Sequence, residues 1–166
     1  MTRGAHTMNN RCCFAGHSKI SNTDEIYSKL SDAIEKLIIS ENVTEFLVGN
    51  YGSFDKLCAG AVRKLKEKYP QIQLNLVIPY VTKEINENKE QYYKKFNNIL
   101  MADIPERTPA RLRILKCNEY MIMNSGFLIC FVHNTWGGAA TTLEFAKTKK
   151  HIKIFNLAHM QDEGGM

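Results

Sequence analysis

The chain has 166 residues, close to one domain of about 150 residues, which leaves no room for a second full fold. Its 44% hydrophobic and 23% charged residues, with only 10 glycines and 4 prolines, exclude a disordered, collagenous or low-complexity protein. The net charge of +5 suits anionic ligands but is too small to indicate a dedicated nucleic-acid binder.

The first part of the chain predicts two strands separated by a helix. Residues 12–15 form an apolar run that Gly16 closes, and residues 21–24 supply the capping side chains and acids typical of a helix start. The helix carries one apolar stripe and is expected to end near Ser40, and residues 46–49 are the second strand.

The middle of the chain predicts a second helix, a third strand and a less regular segment. Apolar residues at helical spacing begin at Phe54, Pro70 stops that helix, and residues 74–78 are the third strand. A short helix is expected around residues 92–96, whereas residues 101–108 show the least regular pattern.

The last part of the chain repeats the alternation. A helix over residues 110–123 precedes residues 127–132, a continuous apolar run typical of a strand that is buried on both faces. A glycine-containing segment then leads into a helix that runs through Lys147, and residues 152–157 are the last strand.

Strands that alternate with helices predict right-handed crossovers and a covered parallel sheet. We therefore expect an α/β fold, a Rossmann-like three-layer sandwich with a mostly parallel five-stranded sheet, in one domain over residues 10–158. Residues 1–9 are predicted to be a cloning remnant or a disordered N-terminus, and residues 159–166 a flexible tail.

The apolar runs and the cysteines bear on where the protein works. No apolar run approaches the roughly 20 residues that cross a bilayer, so no membrane segment is predicted. The five cysteines are odd in number and show no C-x-x-C spacing, which favours reduced thiols and a cytoplasmic setting. The cysteines and histidines lack the spacing of a zinc site, so no metal is expected.

Three predicted strand ends carry glycine-containing loops, and in a parallel sheet this is the edge where ligands bind. Glycines allow close backbone approach and helix N-termini attract anions, so together the loops indicate a nucleotide site, although each glycine alone could serve only to turn the chain. The predicted ligand-binding residues are Gly16, His17, Ser18, Gly49, Asn50, Tyr51, Gly52, Ser53, Asp55, Lys116, Trp136, Gly137, Gly138, Ala139, Thr141 and Glu144.

Several of these residues have two interpretations. Glu144, one helical turn beyond Thr141, could meet a ribose hydroxyl or act as a base, or it could be a solvated acid favoured by the helix dipole. Asp55 could bind ribose or stabilise its helix start, and Trp136 could stack on a base or pack against the sheet edge. His17 could contact phosphate or ribose, or it could be structural.

The order of these motifs resembles the SLOG superfamily over residues 11–158. This superfamily includes the LOG phosphoribohydrolases, the DNA-processing protein DprA and small standalone bacterial or phage proteins, and the chain resembles the last group most closely. The motifs that carry the resemblance are Cys-Phe-Ala-Gly-His at 13–17, Gly49 to Asp55 with Phe-Asp-Lys-Leu-Cys-Ala-Gly-Ala-Val at 54–62, Leu-Val-Ile-Pro-Tyr at 76–80, the segment 116–121, and Gly-Gly-x-x-Thr-x-x-Glu ending at Glu144.

The chain departs from the LOG pattern Pro-Gly-Gly-x-Gly-Thr-x-x-Glu at two positions, where Trp136 replaces the proline and Ala140 the last glycine. Upstream, related proteins carry arginines where this chain has Cys117 and Glu119, so Lys116 is the nearest cation. Loss of the positioning arginine should weaken catalysis more than it weakens phosphate binding.

The resemblance implies three alternative functions. The first is a binding protein that senses or sequesters a nucleotide or an NAD-derived signal of the cyclic ADP-ribose type, as a phage anti-defence sponge would. The second is a LOG-like phosphoribohydrolase, an N-glycosidase with Glu144 as the acid/base and Lys116 replacing the arginine. The third, DprA-like binding of single-stranded DNA, ranks lowest, so a nucleic-acid partner is expected to be unlikely. No cofactor is expected, and the resemblance implies a homo-oligomer, a dimer or higher.

Overall fold

A six-stranded parallel sheet forms the centre of the protein, and the computed structural model describes residues 8–159. The order of the strands in the sheet is β4-β3-β2-β1-β5-β6, and every neighbouring pair is parallel. The strands are β1 (Arg11–Gly16), β2 (Glu45–Val48), β3 (Gln73–Ile78), β4 (Asn98–Met101), β5 (Phe127–Phe131) and β6 (Lys153–Asn156).

Helices cover both faces of the sheet and complete three layers. The helices are α1 (Thr23–Glu41), α2 (Ser53–Lys68), α3 (Lys83–Glu87), α4 (Lys89–Lys95), α5 (Ala110–Met123) and α6 (Gly138–Lys147). The buried side chains of α1 and α2 form one core with one face of the sheet, and those of α5 and α6 form a second core with the other. The predicted α/β, Rossmann-like sandwich is confirmed.

The alternation of side chains along β1 shows why two cores form. Cys12 and Phe14 belong to the core under α1 and α2, whereas Cys13 and Ala15 belong to the core under α5 and α6. Burial raises the pKa of the Cys13 thiol to about 12. Such a thiol stays protonated and acts as a small apolar core residue.

The prediction of five strands is wrong by one, because β4 is a sixth strand at the edge of the sheet. It has only four residues, Asn98 to Met101, and its two ends are exposed, so it lacks the buried apolar run that marks β5. Polar side chains hold it in place: Asn98 Nδ2 donates to Asn75 Oδ1 at 3.0 Å, and Leu74 N–H donates to Asn97 Oδ1 at 2.9 Å.

Most of the other predicted elements agree with the structure. α5 spans the predicted residues 110–123, and β6 lies within the predicted 152–157. The single short helix expected near residues 92–96 is instead a pair of short helices, α3 and α4, that meet at Asn88. Residues 1–7 of the predicted N-terminal remnant and residues 160–166 of the predicted tail lie outside the described residues. Within residues 8–159, no helix has both the length and the apolar character that a membrane span needs.

Candidate functional site

The order in which the strands are added to the sheet reverses between β1 and β5: β2, β3 and β4 lie on one side of β1, and β5 and β6 lie on the other. β2 pairs with one side of β1 and β5 with the other, so the loops that follow β1 and β5 leave the sheet in opposite directions. Gly16 lies opposite Phe131 at the carboxyl end of this pair. Ligands of open α/β sheets bind in the crevice at such a switch point.

A cleft of about 460 Å³ opens at this point, and we call it the switch cleft. It brings together residues of all three predicted loops. The predicted site residues that line it are Gly16, His17, Ser18, Tyr51, Gly52, Asp55, Trp136, Gly137, Gly138 and Ala139.

Two histidines line the cleft and connect the ends of β1 and β5. The backbone N–H of His133 donates to Nε2 of His17 at 3.2 Å, and the two rings lie 4.5 Å apart. Partial burial, and then the charge of His133, lower the pKa of His17. Because Nε2 accepts a hydrogen bond, His17 is neutral here and offers its other ring nitrogen as a donor.

The first and second loops pack backbone against backbone. Ser53 N–H donates to Ser18 O at 2.8 Å. A Cβ at Gly52 would lie 2.5 Å from the Cα of Ser18, closer than any side chain can approach. Glycine is therefore required at position 52 for the two loops to meet.

Asp55 follows on the first turn of α2 and faces the cleft from the second loop. Its Oδ2 accepts the backbone N–H of Tyr51 at 2.9 Å. Removal from water raises the pKa of the carboxyl to about 6, although the Tyr51 hydrogen bond acts in the opposite direction. Asp55 can accept hydrogen bonds from ligand hydroxyls, and its charge changes near neutral pH.

The third loop presents backbone to the cleft at the N-terminus of α6. Gly137, which precedes the helix, has φ of 95°, a left-handed conformation that favours glycine. A Cβ at Gly138 would find its nearest neighbour, Leu115 Cδ2, at 3.9 Å, so the space in front of this helix end is open. Unpaired N–H groups and the positive end of the helix dipole favour an anion here.

The structure does not place the remaining predicted residues in the switch cleft. Lys116 and Thr141 line a small groove of about 180 Å³ between α5 and α6. Lys116 pairs with Glu119 at 3.0 Å, and the Thr141 hydroxyl donates to Gly137 O at 3.0 Å. Ser53 contributes its backbone N–H to the contact between the loops.

Glu144 lies on the outer face of α6. Its side chain is 71% exposed and pairs with Lys147 at 3.1 Å, and it is not among the residues that line the switch cleft. The geometry therefore corresponds to the alternative of a solvated acid near the start of the helix.

Gly49 and Asn50 line a separate cleft of about 340 Å³, which we call the α2/α4 cleft. Its walls come mainly from α2 and α4, and its polar side chains include Lys56, Arg63, Gln91, Tyr92 and Lys95. Asp55 lines both this cleft and the switch cleft, so the two clefts adjoin at this residue.

The sequence analysis missed several residues of the switch cleft: Lys19, Ile114, Asn118 and Asn134. Ile114 and Asn118 are four residues apart on α5 and so share one face of the helix. The buried Cys117 and Met121 show the same spacing one face away. The four-residue spacing on neighbouring faces of α5 is the signal in the sequence that indicates one buried face and one face towards the cleft.

Across the described residues, His, Cys, Asp and Glu side chains form no group of three or more that could hold a metal ion. The polar groups of the switch cleft are backbone amides, hydroxyls, imidazoles, the side-chain amides of Asn118 and Asn134, the Trp136 indole N–H, one amine and one carboxyl. This donor set suits hydrogen bonding to phosphate and sugar.

Two solved structures share the fold over almost the whole chain. DNA processing protein A (DprA) from Streptococcus pneumoniae has a TM-score of 0.64 at 16% identity, covering 93% of this chain and 56% of that chain. DNA processing protein A from Helicobacter pylori, described for its unique single-stranded DNA binding mode, has a TM-score of 0.61 at 13% identity, covering 95% and 74%. At these identities the likeness shows the fold alone, and this chain spans little more than half of the S. pneumoniae protein.

Relatives of similar sequence are small bacterial and prophage proteins. UPF0398 protein BH1768 of Halalkalibacterium halodurans is 30% identical over 129 residues, 72% of this chain and 67% of that protein. The SPbeta prophage-derived protein YoqJ of Bacillus subtilis is 26% identical over 140 residues, 74% of this chain and 81% of that protein. The family model of the YspA SLOG family matches residues 17–161, which confirms the resemblance inferred from the motifs. The chain therefore belongs to the YspA SLOG family.

Proposed function

We propose that the switch cleft binds a nucleotide, with its phosphate at the N-terminus of α6 and its ribose beside Asp55. The observation that carries the proposal is the convergence of three glycine-containing loops on one cleft at the switch point of the sheet. Lys19 on the first loop adds a positive charge to the open backbone of Gly137 and Gly138. A phosphate would meet N–H donors, a helix dipole and an ammonium group.

The position of Glu144 favours binding over hydrolysis. An N-glycosidase needs an acid or base within hydrogen-bond reach of the reacting group, and Glu144 faces solvent beside Lys147. Among the described residues that line the switch cleft, the one carboxyl group belongs to Asp55. In its finer form we propose a protein that sequesters an NAD-derived signal of the cyclic ADP-ribose type in a phage anti-defence role; the proposal of a phage setting starts from the prophage origin of one relative.

Substitution at Gly138 tests the phosphate site without disturbing the fold. Gly138→Asp is expected to weaken binding of AMP and ADP-ribose at least ten-fold, because a carboxylate at the helix N-terminus would repel the phosphate. The open space around Gly138 accommodates the side chain, and an acid is favourable at this end of a helix. Isothermal titration calorimetry with wild type and variant measures the difference.

Gly138→Ala is the matched control, because it adds a Cβ in the same open space but no charge. We expect its affinity to stay within about three-fold of wild type. Equal affinity of the aspartate variant and wild type would contradict the phosphate site. No heat of binding with any nucleotide of a cyclic and linear panel, at micromolar wild-type protein, would contradict nucleotide binding itself.

Glu144→Gln separates binding from phosphoribohydrolase activity. Because Glu144 lies outside the switch cleft, its substitution is expected to leave nucleotide affinity unchanged. We also expect no release of free base from AMP by either protein, followed by liquid chromatography over hours. Base release by wild type that the substitution abolishes would overturn this expectation and restore the hydrolase.

Single-stranded DNA is the second candidate ligand. The fold likeness to the H. pylori protein does not fit the expectation that a nucleic-acid partner is unlikely. A further groove of about 570 Å³, lined in part by Lys19, Lys29 and His133, adjoins the switch cleft. It offers a place for the next nucleotides of a DNA strand whose first nucleotide occupies the switch cleft. Calorimetric titrations at several salt concentrations distinguish the two ligands. The affinity for an oligonucleotide would fall steeply as the salt concentration rises, because several phosphates release counterions, whereas the affinity for a single nucleotide would change little.

The homo-oligomer and the cytoplasmic setting stay predictions. Trp136 is 71% exposed at the rim of the switch cleft, where it is free to cover a bound base or to contact a second copy of the chain. Its exposed ring supports either role.

A further inference from the structure

The α2/α4 cleft has the chemistry of an anion site. Lys56 and Arg63 of α2 and Lys95 of α4 line it, against two acids, Asp55 and Glu84. Glu84 is already engaged, since its Oε1 accepts the Tyr92 hydroxyl at 3.0 Å. Within residues 8–159, neither Lys56 nor Lys95 forms an ion pair, so both ammonium groups are available to a ligand.

The Arg63 guanidinium has a buried N–H donor without a hydrogen-bond acceptor among the described residues. Its guanidinium lies 5.7 Å from the centre of the Phe96 ring, which holds one side of the group. Nη1 is shielded from solvent, yet in the part of the chain that the structure describes no atom accepts a hydrogen bond from it. A buried donor on a charged group is costly to leave unsatisfied, so a ligand in the cleft that Arg63 lines would gain a hydrogen bond if the guanidinium turns to present Nη1 to it.

The α2/α4 cleft adjoins the proposed nucleotide site, because one residue lines both. Asp55 lines the switch cleft on one side and the α2/α4 cleft on the other. If the 5′-phosphate lies at the glycine loop of α6, as proposed above, a ribose beside Asp55 can turn one of its 2′ and 3′ oxygens towards the second cleft while the other donates its hydroxyl to Asp55.

We propose that the α2/α4 cleft binds a second phosphate, carried on the 2′ or 3′ oxygen of the ribose whose 5′-phosphate lies in the switch cleft. This inference rests on the proposed nucleotide binding and selects, within that class, nucleotides phosphorylated on both sides of the ribose; a cyclic ADP-ribose without a 2′ or 3′ phosphate would occupy the switch cleft alone. Arg63 supplies the guanidinium that meets the second phosphate, and Lys56 and Lys95 add charge around it.

Calorimetry with AMP and its 3′,5′- and 2′,5′-bisphosphates tests the inference, because these probes differ by one phosphate. Wild type is expected to bind one of the bisphosphates at least ten-fold more tightly than AMP, and the isomer preferred identifies the ribose oxygen. Arg63→Gln should remove most of that advantage while AMP affinity stays the same. Lys64→Gln is the matched control, since Lys64 is the next residue on α2, exposed and paired with Glu67 at 3.2 Å.

Lys95→Gln provides a second test that does not disturb packing, because Lys95 is exposed on the rim of the cleft. Lys95→Gln should lower bisphosphate affinity about three-fold. If Arg63→Gln does not fold, this decrease alone tests whether the α2/α4 cleft binds the second phosphate. Equal binding of AMP and both bisphosphates, or an advantage that survives both substitutions, would overturn the second site alone. Failure of AMP and the bisphosphates to bind wild type would overturn the proposed nucleotide function and this inference with it.

Discussion

Replacing Gly16 with alanine is expected to lower the free energy of unfolding by about 3 kcal/mol, because the new Cβ would overlap the core. It would overlap Cδ2 of the Phe54 ring and lie 2.8 Å from the Cβ of Phe54. Phe54 is 1% exposed and its ring stacks on Phe131, 6.4 Å away. Rotation of the ring would not relieve the overlap, because the Cβ of Phe54 itself would lie too close to the new Cβ, so the backbone would have to shift. Urea denaturation followed by circular dichroism measures the change.

Gly60→Ala is the control for this prediction. Gly60 lies within α2, and a Cβ there would find no side chain or neighbouring element within 4 Å. Alanine should therefore raise the free energy of unfolding by about 1 kcal/mol through helix propensity. If Gly16→Ala proved as stable as wild type, the close contact between the first loop and α2 would be wrong.

The elements predicted well from the sequence are those whose pattern is decided locally. α1 carries a periodic apolar stripe that is buried along its length, and β5 is a continuous apolar run, so exposing either segment to solvent would be costly. β4 was not predicted because it has only four residues and no buried apolar run. Its extended conformation depends on pairing with β3, which its own sequence does not reveal. Short edge strands depend on tertiary pairing more than on pattern.

The site was predictable in its loops and not along its helices. Glycines at strand ends identify the edge where a ligand binds, and Gly16, Gly52 and Gly137 all line the switch cleft. Thr141 and Glu144 match the spacing of the family motif. Spacing along a helix does not show which of its faces is turned towards the cleft, and in the packed helix neither residue lines it. α6 sits against α5, so the cleft meets only its first residues.

Asp55→Asn is expected to stabilise the protein by about 2 kcal/mol at neutral pH, since it removes a carboxylate from a site that disfavours charge. Burial raises the pKa of Asp55 from 3.8 to about 6. Between these values the folded protein keeps a proton that the unfolded chain releases, so stability falls as the pH rises from about 4 to about 6. Asparagine retains an oxygen that can accept the Tyr51 N–H, so the loop should keep its conformation.

Urea denaturation at pH 4, 5, 6 and 7 separates Asp55 from the other carboxyl groups. The stability difference between Asp55→Asn and wild type should be small at pH 4, grow through pH 6 and then level off. Asp32→Asn, at an exposed position on α1, should change stability by less than about 0.5 kcal/mol at every pH. A difference for Asp55→Asn that does not vary with pH would show that burial does not control this carboxyl. If Asp55 also holds the ribose, the stabilised variant should bind AMP more weakly, because an amide accepts fewer hydrogen bonds from the sugar hydroxyls than a carboxylate.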